Sequence, residues 1–149
     1  MLGSPEAEWL LMVDGAARGN PGEAGCGAVI IDEAGNVLER LSRYIGHATN
    51  NVAEYRALIL GLDRVIRLGG KRVRVQSDSE LMVRQLNGLY RVKDKKLLTL
   101  YQRVLGSLRR LEAYRIIHVS REHNRLADQL ANQAIDDALK GSRDKGFEG

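Results

Sequence analysis

Apolar residues follow two rhythms along this chain. Near the N-terminus they come in short runs and alternations, which predict three strands: Glu8 to Asp14, Gly25 to Asp32 and Asn36 to Gly46. The connections RGNPGEAG and EAGN carry Gly, Pro and Asn, and their shortness implies antiparallel neighbours. From about Asn51 to Leu68 the rhythm becomes helical, with Tyr55, Leu58, Ile59, Leu62, Val65 and Ile66 on one face and Arg56, Asp63, Arg64 and Arg67 on the other. Gly69 and Gly70 end that helix. KRVRVQSD reads as a fourth strand, followed by a short helix from Ser79 to Leu86 that stops at Asn87 and Gly88. Leu97, Tyr101, Val104, Leu108 and Leu111 mark the next helix, Ala113 to Ser120 a last strand, and about Glu122 to Leu139 a final helix burying Ala127, Leu130, Ala131, Ala134 and Ala138. The order βββαβααβα predicts an α/β fold, a five-stranded mixed sheet with helices on both faces.

With 149 residues the chain has the length of one domain, which buries roughly 70% of its unfolded surface. One domain is expected over residues 7–139, with flexible ends at 1–6 and 140–149; the latter is Gly, Ser and charge around a single Phe147. No run approaches ~18 apolar residues, and no basic region followed by an apolar run opens the chain, so no membrane is expected and the default location is the cytoplasm. Cys26 is the single cysteine, which excludes an internal disulfide and a thiolate zinc pair and leaves it a small core residue. His47, His118 and His123 lack the pairing of a zinc helix motif. The formal charge of +4 favours acidic partners, nucleic acid foremost.

The chemical signal is where four of the 19 acidic residues stand. Asp14 closes the apolar run WLLMV, and Asp78 closes RVRVQS, so both sit at strand ends, where ligands of open α/β sheets collect. Glu54 aligns with Leu58, Gly61 and Val65 at the edge of the buried stripe, and Asp128 flanks the apolar face of the last helix. Singly, each has a plainer explanation in turn formation, capping or helix-dipole compensation. As a set they repel one another unless cations lie between them, and oxygen-only ligands suit Mg²⁺ or Mn²⁺.

The stretches DGAARGNPGEAGCGAV, ATNNVAEYRAL, SDSELMVRQL and REHNRLADQLAN, each bearing one of these acids, resemble in order the successive signatures of type 1 ribonuclease H, over nearly the whole chain. The resemblance implies the ribonuclease H fold and hydrolysis of the RNA strand of an RNA/DNA hybrid to 5'-phosphate and 3'-hydroxyl ends. It also implies that Asp14, Glu54, Asp78 and Asp128 hold two Mg²⁺ ions, with Mn²⁺ as a substitute. Asn20, Asn50 and Asn51 are expected to read the minor groove, where the 2'-hydroxyl separates RNA from DNA, and Thr49 to help bind a DNA-strand phosphate. The same residues also serve as turn former and helix cap, and the roles coexist. A monomer acting on hybrid is the expected form, and whether duplex RNA is a further substrate stays open at the level of sequence.

Three departures from the best-known bacterial pattern stand out. Between Leu86 and Leu97 there is room only for NGLYRVKDKK, where some relatives carry a basic protrusion, so grip passes to Arg91, Lys93, Lys95 and Lys96; Tyr90 and Tyr101 are expected in the core. The loop before Asp128 is short, which leaves His123 as a candidate for the histidine that assists proton transfer or product release, while His118 is expected to be structural. Glu80 stands where relatives often have glutamine, placing a charge near the RNA.

Integrases, transposases and junction resolvases share the implied fold, but the GNPG and TNN stretches point away from them. A non-catalytic nucleic-acid-binding domain has no use for a repulsive acid cluster. A domain of a longer polypeptide is a third alternative, against which the short ends weigh.

Overall fold

Trp9 to Ile31 folds as one long hairpin. In the computed structural model, which describes residues 7–148 and side chains through 141, strand β1 (Trp9–Gly19) pairs antiparallel with β2 (Gly22–Ile31), from Leu10 opposite Ile31 to Gly19 opposite Gly22. Only Asn20 and Pro21, joined by a cis peptide, connect them, and Gly19 supplies the positive φ of 103° that this tight return needs. β3 (Val37–Ala48) returns antiparallel on β2 through a turn held by Asp32, whose carboxylate accepts the N–H groups of Ala34 and Asn36 at 3.0 and 2.8 Å. The predicted flexible stretch 1–6 lies outside the described residues.

Helix α1 (Asn50–Leu68) starts at Thr49, whose Oγ1 accepts the Val52 N–H at 3.2 Å, and stops at Gly69 in the left-handed conformation. β4 (Arg72–Ser77), α2 (Glu80–Leu86), α3 (Lys95–Leu108) and β5 (Ala113–His118) follow, then a 3-10 turn over Arg121–Asn124 and α4 (Arg125–Glu148). The strand order is β3-β2-β1-β4-β5, with β4 and β5 parallel to β1, so the mixed five-stranded sheet is as expected. The last helix begins later than expected, after the 3-10 turn, and its backbone continues past Leu139 through Glu148, across a segment expected to be flexible.

The two faces of the sheet are covered differently. Leu11, Val13, Cys26, Ala28 and Ile30 point to the large core that they build with α1 and with Leu97, Val104 and Leu108 of α3. Met12 and Val29 point the other way, into a small cluster with Ala127 of α4. There the seat is backbone on backbone: a Cβ at Gly27 would lie 2.1 Å from the Ala127 carbonyl oxygen, and one at Gly25 2.4 Å from that of Ala131. On the opposite face, a Cβ at Gly15 would lie 2.1 Å from the Ala53 carbonyl carbon, so the glycine lets the first turns of α1 lie directly on β1.

Asp14 does not end its strand, contrary to expectation. β1 runs on through GAARG, because that segment is held by ladder bonds to β2 and needs no apolar alternation to stay extended. What does end is the parallel pairing with β4, which spans Trp9 to Met12 against Val73 to Gln76. Beyond it the two strands diverge, and the fork opens at Asp14 and Asp78.

Candidate active site

Three carboxylates meet at this fork. Asp14 projects from β1 on the same side as Met12 and is 5% exposed. Glu54, 8% exposed, comes down from the first turns of α1, and its Oε1 accepts the N–H of Gly15. Asp78 follows the last residue of β4, where Ser77 and Ser79 shape the passage into α2: the Ser77 hydroxyl accepts the Ser79 N–H at 3.0 Å, and Ser79 in turn caps α2 at Met82. One oxygen from each of Asp14, Glu54 and Asp78 lies within 4.8 Å of the others. Asp128 reaches the same groove from α4 and lines it with Asn50, His118, Arg121 and Asn132, but it stands outside the three-way cluster. The groove has a volume of about 610 Å³.

Like charges this close distort their own titration. Burial first, and then the charges of Glu54 and Asp78, together push the Asp14 carboxyl up to about 11. Glu54 is lifted to about 7, chiefly by burial, with the Gly15 N–H opposing the rise and the Asp78 charge adding to it. The cluster must therefore hold either protons or a cation at neutral pH. Its donor set is oxygen alone, the set a hard divalent ion prefers, so the residues fit such an ion.

The 3-10 turn that leads into α4 is fixed to the same strand. Asn124, fully buried, donates from Nδ2 to the Val13 carbonyl at 2.8 Å, which anchors the helix start beside Asp14. Asn132, one turn beyond Asp128, donates from Nδ2 to the Asp128 Oδ1 at 3.2 Å.

A second groove, of about 500 Å³, opens beside the first between the hairpin tip, the start of α1 and the start of α3; its lining includes Asn20, His47, Thr49, Asn51 and Lys96. The Asn20 Oδ1 accepts the Asn50 N–H at 3.0 Å and so ties the hairpin tip to the helix start. The remaining sequence candidates are dispersed. Lys93 and Lys95 are exposed outside both linings, and Glu80 is paired with Arg84 at 2.8 Å on the surface of α2. His123 is exposed, and its Nδ1 lies 2.7 Å from the Ser120 hydroxyl, while the groove lining has His118, which ends β5 instead of lying inside it. Tyr101 packs against the core as expected, but Tyr90 is 49% exposed under the Arg84 guanidinium. Sequence reasoning passed over Asn124, Asn132 and Arg121, whose Nε lies 3.9 Å from Asp78; the one available signal was the four-residue spacing of Asn132 from Asp128.

Comparison with known proteins gives this geometry a family. A family model described as reverse transcriptase-like matches residues 12–134. The N-terminal ribonuclease H domain of a bifunctional protein from Mycobacterium tuberculosis superposes with a TM-score of 0.84 at 42% identity, covering 86% of this chain and 98% of that domain. The chain belongs to the ribonuclease H family. Ribonuclease H1 of the archaeon Halobacterium salinarum superposes with a TM-score of 0.85 at 38% identity over 87% of this chain and 98% of that one. LC11-RNase H1, solved in complex with RNA/DNA hybrid, gives 0.84 at 45% identity over 88% and 99%. This ribonuclease H chain spans 37% of the length of the full M. tuberculosis protein and 63% of the H. salinarum ribonuclease HI.

Proposed function

We propose that this chain is an endonuclease that hydrolyses the RNA strand of RNA/DNA hybrids, with Asp14, Glu54, Asp78 and Asp128 holding two Mg²⁺ ions, replaceable by Mn²⁺, and that it acts as a monomer in the cytoplasm. The observation that carries the reading is the convergence of Asp14, Glu54 and Asp78 within 4.8 Å at the floor of an open groove. The hybrid bound by LC11-RNase H1, 45% identical over 88% of this chain, supports the substrate. Bound there, the ions would activate the attacking water and stabilise the departing 3'-oxygen.

The chain's own groups do the positioning. Glu54 is braced by the Gly15 N–H, so its carboxylate is oriented before any ligand arrives. Asn50, in the first groove, and Asn20, Thr49, Asn51 and Lys96, in the second, offer amide, hydroxyl and ammonium groups, and the Asn20–Asn50 hydrogen bond ties the two linings together. Those groups suit sugar hydroxyls and a DNA-strand phosphate. Lys93 and Lys95 add long-range attraction for either strand. Glu80, paired with Arg84, and His123, hydrogen-bonded to Ser120, lie outside both groove linings, so any part they take is at the rim of the bound hybrid.

The test is cleavage of end-labelled RNA/DNA hybrid beside duplex RNA and duplex DNA, with Mg²⁺, with Mn²⁺ and with chelator, for wild type and Asp14→Asn. Internal cuts in hybrid RNA that need metal and vanish in the variant are expected, and the duplex-RNA lane reports the breadth of substrate. Failure of folded wild type to cut under any metal overturns the enzyme reading.

A further inference from the structure

Asp128 is the one groove carboxylate that lies on α4, and it stands outside the tight cluster. Its orientation depends on a hydrogen-bonded chain that crosses from helix to sheet. Asn132 donates from Nδ2 to the Asp128 Oδ1 at 3.2 Å and to the Asp128 carbonyl at 3.1 Å. Its own Oδ1 and carbonyl both accept from the Arg18 Nη2 at 3.3 Å, and the same Nη2 pairs with Asp136 at 2.7 Å. The amide can face only one way in this chain, since a carboxylate only accepts and a guanidinium only donates.

Arg18 lies four residues beyond Asp14 on β1, and the even spacing puts both side chains on the sheet face that α4 covers. The strand that carries one acid therefore grips the helix that carries another, through Arg18 and Asn132. We propose that Asn132, steered by Arg18 and Asp136, is a positioning residue that aims the Asp128 carboxylate at Asp14 and so completes the metal-binding set. This rests on the proposed hydrolytic function. The side chains of Arg18 and Asp136 are 39% and 64% exposed, so the link is one of direction and contributes little stability by itself.

Without the Asn132 amide, Asp128 samples other rotamers, and the ion that needs it binds more weakly, while the cluster of Asp14, Glu54 and Asp78 is untouched. Groups that hold a metal ligand from behind typically change affinity or activity 10- to 100-fold. Asn132→Leu, nearly isosteric, and Asn132→Ala are expected to raise the Mg²⁺ concentration for half-maximal cleavage by at least about tenfold. KM for hybrid should be little changed, and kcat should recover at high Mg²⁺. Arg18→Met should produce a smaller effect in the same direction, Arg18→Lys less still, and the double variant Arg18→Met/Asn132→Leu no more than Asn132→Leu alone. Gln133→Ala, an exposed neighbour on the same helix, should leave the metal dependence unchanged.

Mn²⁺ binding to the free protein, followed by calorimetry, gives a readout apart from cleavage. Loss or weakening of one ion in Asn132→Leu with melting temperature retained supports the relay, even if hybrid is not the substrate. Wild-type Mn²⁺ stoichiometry and affinity in both Asn132 variants, or effects of Arg18 and Asn132 that simply add, would overturn it. Inactivity of wild type with the Asn132 effect on Mn²⁺ intact would sink the hydrolytic reading and leave the relay standing.

Discussion

Removing an acid from the centre of the site should make the metal-free protein more stable. Asp14 has oxygens within 4.8 Å of both Glu54 and Asp78. At an effective dielectric constant of about 20, two unit charges at that distance repel by about 3.5 kcal/mol. The wild type escapes part of this by keeping protons, which is why Glu54 is lifted to about 7 and Asp14 higher still. A carboxyl whose pKa is raised by folding costs nothing below its unfolded pKa, near 4, where both states are protonated. Above that the unfolded chain ionises freely and the folded one does not, so stability falls as pH rises towards the folded value. For Glu54 the window is about 4 to 7, and for Asp14 the fall continues above neutrality. Asp14→Asn removes the need either to bear these repulsions or to hold a proton against them, and a gain of about 3 kcal/mol at pH 8 is expected, or about 10 °C in melting temperature for a chain of this length. Thermal melts of both proteins in chelator at pH 4, 6 and 8 measure it. The gain should shrink towards pH 4 and be offset by added Mg²⁺, which stabilises wild type more than the variant. A variant that melts at or below wild type at pH 8 in chelator, or by a margin indifferent to pH, refutes the repulsion argument.

Two further outcomes bear on substrate grip and on the seat of the last helix. Lys96→Ala should weaken hybrid binding across sequences and reduce the slope of log affinity against log salt by about 1, read from titrations at several salt concentrations; an unchanged slope would remove Lys96 from the phosphate contacts. Gly27→Ala must move α4 off β2, because the new Cβ would meet the Ala127 carbonyl. A loss of about 1–3 kcal/mol in denaturant unfolding is expected, and cleavage should fall with it as Asp128 shifts; a neutral result would mean that the seat yields easily.

The elements were legible wherever side chains carry the pattern. The stripe through Tyr55, Leu58, Leu62 and Val65 and the anomalous placement of Glu54 beside it were visible because both follow from helical period. The second half of β1 was not, since Gly15, Ala16 and Ala17 offer no alternation and are held extended by β2. That misplaced the reason for the Asp14 position: a fork between strands, where pairing to β4 stops, in place of a strand end. His118 fell on the wrong side of the same kind of boundary, because the end of β5 is set by its neighbour β4. Asn124 and Asn132 look like ordinary polar helix residues in one dimension, and their partners Val13 and Arg18 are over a hundred positions away. The dispersal of Lys93, Lys95 and Glu80 likewise depends on which way a surface faces.

The two layers that cover the sheet differ in how they can change. Against α1, beyond the main-chain contact at Gly15, the seat is made by interlocking side chains such as Leu11, Leu58 and Leu62, so an alteration in one can be absorbed by repacking others. Against α4 the contacts at Gly25 and Gly27 are main chain on main chain, and there is nothing to repack. Variation can therefore accumulate in the larger core while the helix that presents Asp128 keeps its place to within the thickness of a methyl group.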